Sequence, residues 1–209
     1  MSTEFIHRFV PATASGAPTL LVLHGTGGDE NDLIPLARMI SPTAALLSPR
    51  GQVLENGMPR FFRRFAEGVF DLEDLAVRTR ELGEFVEHAA TQYRFPLERI
   101  YAVGYSNGAN VAASLMLSRP GLLAGGVLLR AMVPFEPETT PTLTGKPVLL
   151  SAGRQDPIVP QTLTARLAAL LEAGGAVVTL AWQDTGHQLL KSELEAASHW
   201  FATHASPKP

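Results

Sequence analysis

The chain has 209 residues, 45% of them hydrophobic and 18% charged, with a formal net charge of -3, which fits one globular domain over residues 1–209 with a full core. With so small a charge and no Lys/Arg run, binding to nucleic acid or to an anionic membrane is not expected, and a small neutral or weakly polar ligand fits better. The absence of cysteine excludes disulfides, thiolate zinc sites and a cysteine nucleophile.

Residues 1–11 carry Glu4, His7 and Arg8 and lack the apolar run of a signal peptide. No stretch approaches the roughly 20 apolar residues that span a bilayer, so a soluble, cytoplasmic protein is the expectation. Residues 19–23, Thr-Leu-Leu-Val-Leu, form a nearly continuous apolar run and read as a strand buried on both faces. A helical pattern follows through Leu33, Leu36, Ala37 and Ile40, then a strand over 43–47. Residues 52–68 are irregular and rich in Gly, Arg and Phe; a compact domain uses so long a loop for function, here as a substrate loop. Asp71 opens a helix whose first turn is acidic and whose apolar positions run from Leu72 to Tyr93, ending before Pro96. Strands are expected at 99–103, 126–129, 147–152 and 176–181, and helices at 109–117, 161–173 and 188–204, with 205–209 as a frayed tail. Such alternation implies βαβ units and a single doubly wound, mostly parallel sheet with helices on both faces. The length leaves little for a separate lid domain.

Gly104-Tyr105-Ser106-Asn107-Gly108 matches G-x-S-x-G and lies between an apolar strand and a helix of small residues. Flanking glycines let strand and helix approach while the serine sits on a sharp turn with its hydroxyl exposed. A serine hydroxyl needs a base, and His187, between the last strand and the last helix, is the histidine best placed. Asp156, just past the strand 147–152, supplies the acid in the chain order nucleophile, acid, histidine. Asp184 is the rival, but its place three residues before His187 suits a turn equally well. His24-Gly25-Thr26-Gly27-Gly28 after the first strand resembles the glycine-rich oxyanion motif of esterases, so the backbone N–H groups of Thr26 and Asn107 are expected to form the oxyanion hole. A phosphate loop is the competing reading, but no G-K-[ST] follows and no dinucleotide fingerprint is complete. Phe61, Phe62, Phe65, Phe70, Met132, Val133 and Ile158 are candidate pocket walls, although Phe and Met are as often core. Arg60, Arg63 and Arg64 either steer an anionic substrate or form a solvated face.

Taken together, Leu-His-Gly-Thr-Gly-Gly, Gly-Tyr-Ser-Asn-Gly, Gly-Arg-Gln-Asp-Pro-Ile-Val-Pro and Thr-Gly-His-Gln resemble the phospholipase/carboxylesterase family of α/β hydrolases over nearly the whole chain. The segment Arg60 to Arg64 followed by Gly68-Val69-Phe70-Asp71 looks most like its bacterial carboxylesterase and hydroquinone-linked hydrolase branch. The resemblance implies an α/β-hydrolase fold, Ser106 as nucleophile, Asp156 as acid, His187 as base, and the amides of Thr26 and Asn107 as oxyanion hole. The expected activity is hydrolysis of a small, short-chain carboxylic ester through an acyl-enzyme, with no metal or organic cofactor. Acyl-protein thioesterase or lysophospholipase activity is the alternative, and a binding protein that does not turn over its ligand a more remote one. A homodimer is possible on sequence grounds.

Overall fold

A computed structural model describes residues 4–205. The expected tail thus lies mostly outside the described residues; of it only Ala205 is described, and it is buried.

The chain runs β1 (His7–Val10), β2 (Thr19–Leu23), α1 (Ile34–Ile40), β3 (Ala45–Pro49), four short strands β4 (Val53–Glu55), β5 (Met58–Arg60), β6 (Arg64–Ala66) and β7 (Val69–Phe70), and then α2 (Leu72–Tyr93). It continues through β8 (Ile100–Tyr105), α3 (Asn107–Ser118), β9 (Gly125–Leu129), β10 (Pro147–Gly153), α4 (Gln161–Ala173), β11 (Val177–Gln183) and α5 (Lys191–His204). Seven strands form the main sheet in the order β1-β3-β2-β8-β9-β10-β11. All its pairings are parallel except β1 with β3.

Side-chain alternation explains why the central strands are apolar throughout. Leu21 and Leu23 point into one core with the α2, α3 and α4 residues Leu75, Leu115 and Leu167. Leu20 and Val22 point into the other, with Leu36 of α1 and Phe201 of α5. A strand covered on both faces has no polar face to alternate with, and each such side chain contributes roughly 1.5–3 kcal/mol of burial.

The chain moves outward from β2 to β3 and then returns by α2 to the other side of β2, placing β8 there. This reversal of direction is a topological switch point, where the loops beyond the two strand ends diverge and leave a crevice. The segment Gly25 to Gly28 leaves the end of β2, and Ser106 leaves the end of β8.

The two differences from the expected layout are local. β1 is a four-residue, half-buried edge strand, with too little apolar alternation to register as one. The irregular segment 52–68 is two small antiparallel hairpins, β4-β5 and β6-β7, each turned by a glycine at positive φ: Gly57 at 80° and Gly68 at 72°.

Candidate active site

The strand-to-helix turn is sharp. Ser106 has φ 52° and ψ −114°, a strained conformation for a residue with a Cβ. It is held by a hydrogen bond from its N–H to the Leu129 carbonyl at 2.9 Å, while its own carbonyl accepts the Asn110 N–H at 2.9 Å. A Cβ on Gly108 would run into the Leu23 carbonyl, so only glycine lets α3 start this close to β2.

Ser106, His187 and Asp156, drawn from three different strand ends, meet in one hydrogen-bonded chain. The Ser106 Oγ lies 2.9 Å from His187 Nε2, and His187 Nδ1 lies 2.7 Å from an Asp156 carboxylate oxygen. A carboxylate only accepts, so Nδ1 carries the ring proton and Nε2 is free to accept from the serine. The Asp156 side chain is 1% exposed, and its other oxygen accepts the backbone N–H groups of Ile158 at 2.8 Å and Val159 at 3.1 Å. Asp184, the rival, is turned to solvent and pairs with Arg154 at 3.2 Å.

Across the crevice, the Gly27 N–H is taken by the Pro59 carbonyl at 2.9 Å and the Gly28 N–H by the Gly25 carbonyl at 3.1 Å. Among the described residues the N–H of Thr26, which directly precedes Gly27, has no acceptor. Asn107 is the first residue of α3, so its N–H has no carbonyl one turn back to bond to and stands at the positive end of the helix dipole. Two residues absent from the sequence-based site brace this loop. His24 is buried; its Nε2 accepts the Gly51 N–H at 2.9 Å, which leaves Nδ1 to donate to the Gly25 carbonyl at 2.7 Å. Burial holds the imidazole below its ordinary pKa, consistent with a neutral ring serving as one donor and one acceptor. Arg60 donates from Nη1 to the Thr26 hydroxyl at 2.6 Å.

The expectations for residues 60–70 need correction. Phe61 and Phe62 are 3% and 0% exposed; both belong to the core rather than to a pocket wall. Phe61 packs on the His24 ring at 4.7 Å and gives its N–H to the Asn107 side-chain oxygen at 2.7 Å. Phe70 meets Phe62 edge-on at 5.0 Å and joins the same core, whereas Phe65 is 76% exposed. The three arginines do not share one solvated face, although Arg63 is exposed: Arg60 is buried with Glu55 3.2 Å away, and burial lowers its pKa to about 10. Arg64 also pairs with Glu55, and Arg63 reaches Asp71 and Asp74 at the start of α2. Of the remaining candidates, Met132 is buried, while Val133 and Ile158 are partly exposed.

Among the described residues no group of three or more His, Asp or Glu side chains is arranged to hold a metal ion, and no helix is long and apolar enough to cross a membrane.

The family model described as Phospholipase/Carboxylesterase matches residues 7–205. The hydrolase MhqD of Bacillus subtilis is 50% identical over 182 residues, covering 87% of this chain and 91% of that protein. The crystal structure of a Bacillus cereus carboxylesterase superposes with a TM-score of 0.94 at 48% identity, covering 96% of this chain and 94% of that one. A carboxylesterase from Mesorhizobium loti gives 0.88 at 32% identity, covering 95% and 94%.

Proposed function

The chain belongs to the phospholipase/carboxylesterase family of α/β hydrolases, and from that premise we propose that it cleaves small, short-chain carboxylic esters through an acyl-enzyme on Ser106. The observation that carries this reading is the continuous hydrogen-bonded chain from Asp156 through His187 to Ser106, at 2.7 and 2.9 Å.

In the first step His187 Nε2 takes the Ser106 proton as Oγ attacks the ester carbonyl, and Asp156 stabilises the imidazolium that forms. The N–H groups of Thr26 and Asn107 receive the developing oxyanion. His187 then returns the proton to the leaving alkoxide, and the acyl group remains on Ser106. Water, deprotonated by His187, attacks the acyl-serine, and His187 returns the proton to Ser106 Oγ as the bond to the acyl group breaks and the acid leaves. These steps are carried by protein groups alone.

A short acyl group is favoured because the hairpins between β3 and α2 direct Phe61 and Phe62 into the core. That leaves Val133 beyond β9, and Ile158 two residues after Asp156, as the partly exposed apolar surroundings. The test is a series of p-nitrophenyl esters from acetate to palmitate, with an acyl thioester alongside. Activity falling steadily with chain length is the expected result; preference for palmitate or for the thioester would assign the chain to long-chain or thioester hydrolysis instead.

A further inference from the structure

Arg130, which directly follows β9, is fully buried at 0% exposure and has φ 58°, a left-handed conformation uncommon for a residue with a side chain. Its guanidinium meets both carboxylate oxygens of Glu193 on α5, at 2.6 Å from Nη1 and 2.9 Å from Nη2. Ser151 on β10 donates to the same carboxylate at 2.5 Å. Nη1 also donates to the Ser151 carbonyl at 3.2 Å, and the last two donors reach the turn that carries His187: Nε donates to the Gly186 carbonyl at 3.1 Å and Nη2 to the Gln188 carbonyl at 2.6 Å.

The two carbonyls flanking His187 are thus held by one side chain. Their neighbours are held as well, since the Thr185 carbonyl accepts the Gln155 N–H at 3.0 Å and the His187 carbonyl accepts the Tyr105 hydroxyl at 3.1 Å. Four consecutive carbonyls are fixed to the segments that carry Ser106 and Asp156 or to β9. A buried guanidinium paired with a carboxylate is not needed for stability, because apolar residues of similar volume commonly serve as well. What apolar residues cannot supply is a rigid planar fork that bonds two carbonyls and a carboxylate at once.

We infer that Arg130, set by Glu193, is a positioning residue that holds His187 within hydrogen-bonding reach of both Ser106 and Asp156. The inference rests on the reading of Ser106 and His187 given above. Displacing a reacting group by about 1 Å costs on the order of 100-fold in rate, and the turn that carries His187 has no regular secondary structure to hold it otherwise.

The test uses Arg130→Lys and the paired replacement Arg130→Met with Glu193→Leu, which removes both buried charges together. Three quantities are measured on the full chain: thermal unfolding, kcat and KM on p-nitrophenyl acetate, and the rate at which a fluorophosphonate labels Ser106, read by mass spectrometry. The expected result is a folded variant with kcat and the Ser106 labelling rate each lowered about 100-fold while KM stays near the parent's. Parent-like labelling and kcat in either folded variant would overturn the inference. Loss of the fold in both would also overturn it, by assigning the pair to stability alone. Failure of the parent itself to be labelled at Ser106 would instead count against the nucleophile assignment, so the two readings fail separately.

Discussion

Ser106→Ala is expected to lower kcat on p-nitrophenyl acetate by about 10⁶-fold, the loss found on removing a triad serine elsewhere, with KM and melting temperature close to the parent's. The change deletes a single oxygen. The Cβ that makes φ 52° unfavourable is present in both residues, so the turn keeps its strain and its supports, the bond from the residue 106 N–H to Leu129 and that from Asn110 to the residue 106 carbonyl. The Thr26 and Asn107 amides still bind the carbonyl, which leaves a small residual rate above water. Steady-state kinetics with a thermal melt checks it: a variant retaining more than about one per cent of parent kcat would place the nucleophile elsewhere, because intact hole and binding alone do not sustain such a rate.

Asp156→Asn is the second large effect, about 10⁴-fold in kcat at neutral pH by comparison with the same change in a serine protease triad. The direction follows from how Asp156 is held. One of its oxygens accepts two backbone N–H groups, from Ile158 and Val159, so in the asparagine variant the amide oxygen must occupy that position. The amide nitrogen then faces His187 Nδ1, where it can only donate. Nδ1 becomes the acceptor, the ring proton moves to Nε2, and the imidazole meets Ser106 as a donor instead of a base. Asp184→Asn, by contrast, should leave kcat near the parent's, since its exposed carboxylate is paired only with Arg154. Measuring kcat for both variants separates the two carboxylates; a larger loss in Asp184→Asn would reverse their roles.

The parts of this architecture that could be read from the sequence are those fixed by local pattern. The run Thr19 to Leu23 is apolar because both sheet faces are covered, and the acidic first turn of α2 has a local cause, with the Asp71 side chain accepting the Asp74 N–H at 3.1 Å. Ser106, His187 and Asp156 each stand at the end of a strand, and strand ends are where chain order and sheet topology bring distant residues together.

What escaped depends on contacts between segments far apart in the chain. Residues His7 to Val10 become a strand only because β3 offers an edge. Phe61 and Phe62 look like pocket walls in a loop of glycines and arginines, but β5 ends by turning them inward, and the bond from Phe61 to Asn107 spans 46 residues. Arg60 reads as part of a solvated face because the bonds that allow its burial lie on Glu55 and Thr26. Arg130 gave no signal at all: a single arginine after a strand acquires its meaning from Glu193, 63 positions away.

The most direct test of the central claim is to trap the acyl-enzyme. The protein is mixed with p-nitrophenyl acetate, quenched in acid during turnover, digested and read by mass spectrometry, with Ser106→Ala treated in parallel. An acetyl group on the peptide containing Ser106, absent from the variant, is the predicted result. Turnover at the parent rate with the acetyl group on another residue would contradict it.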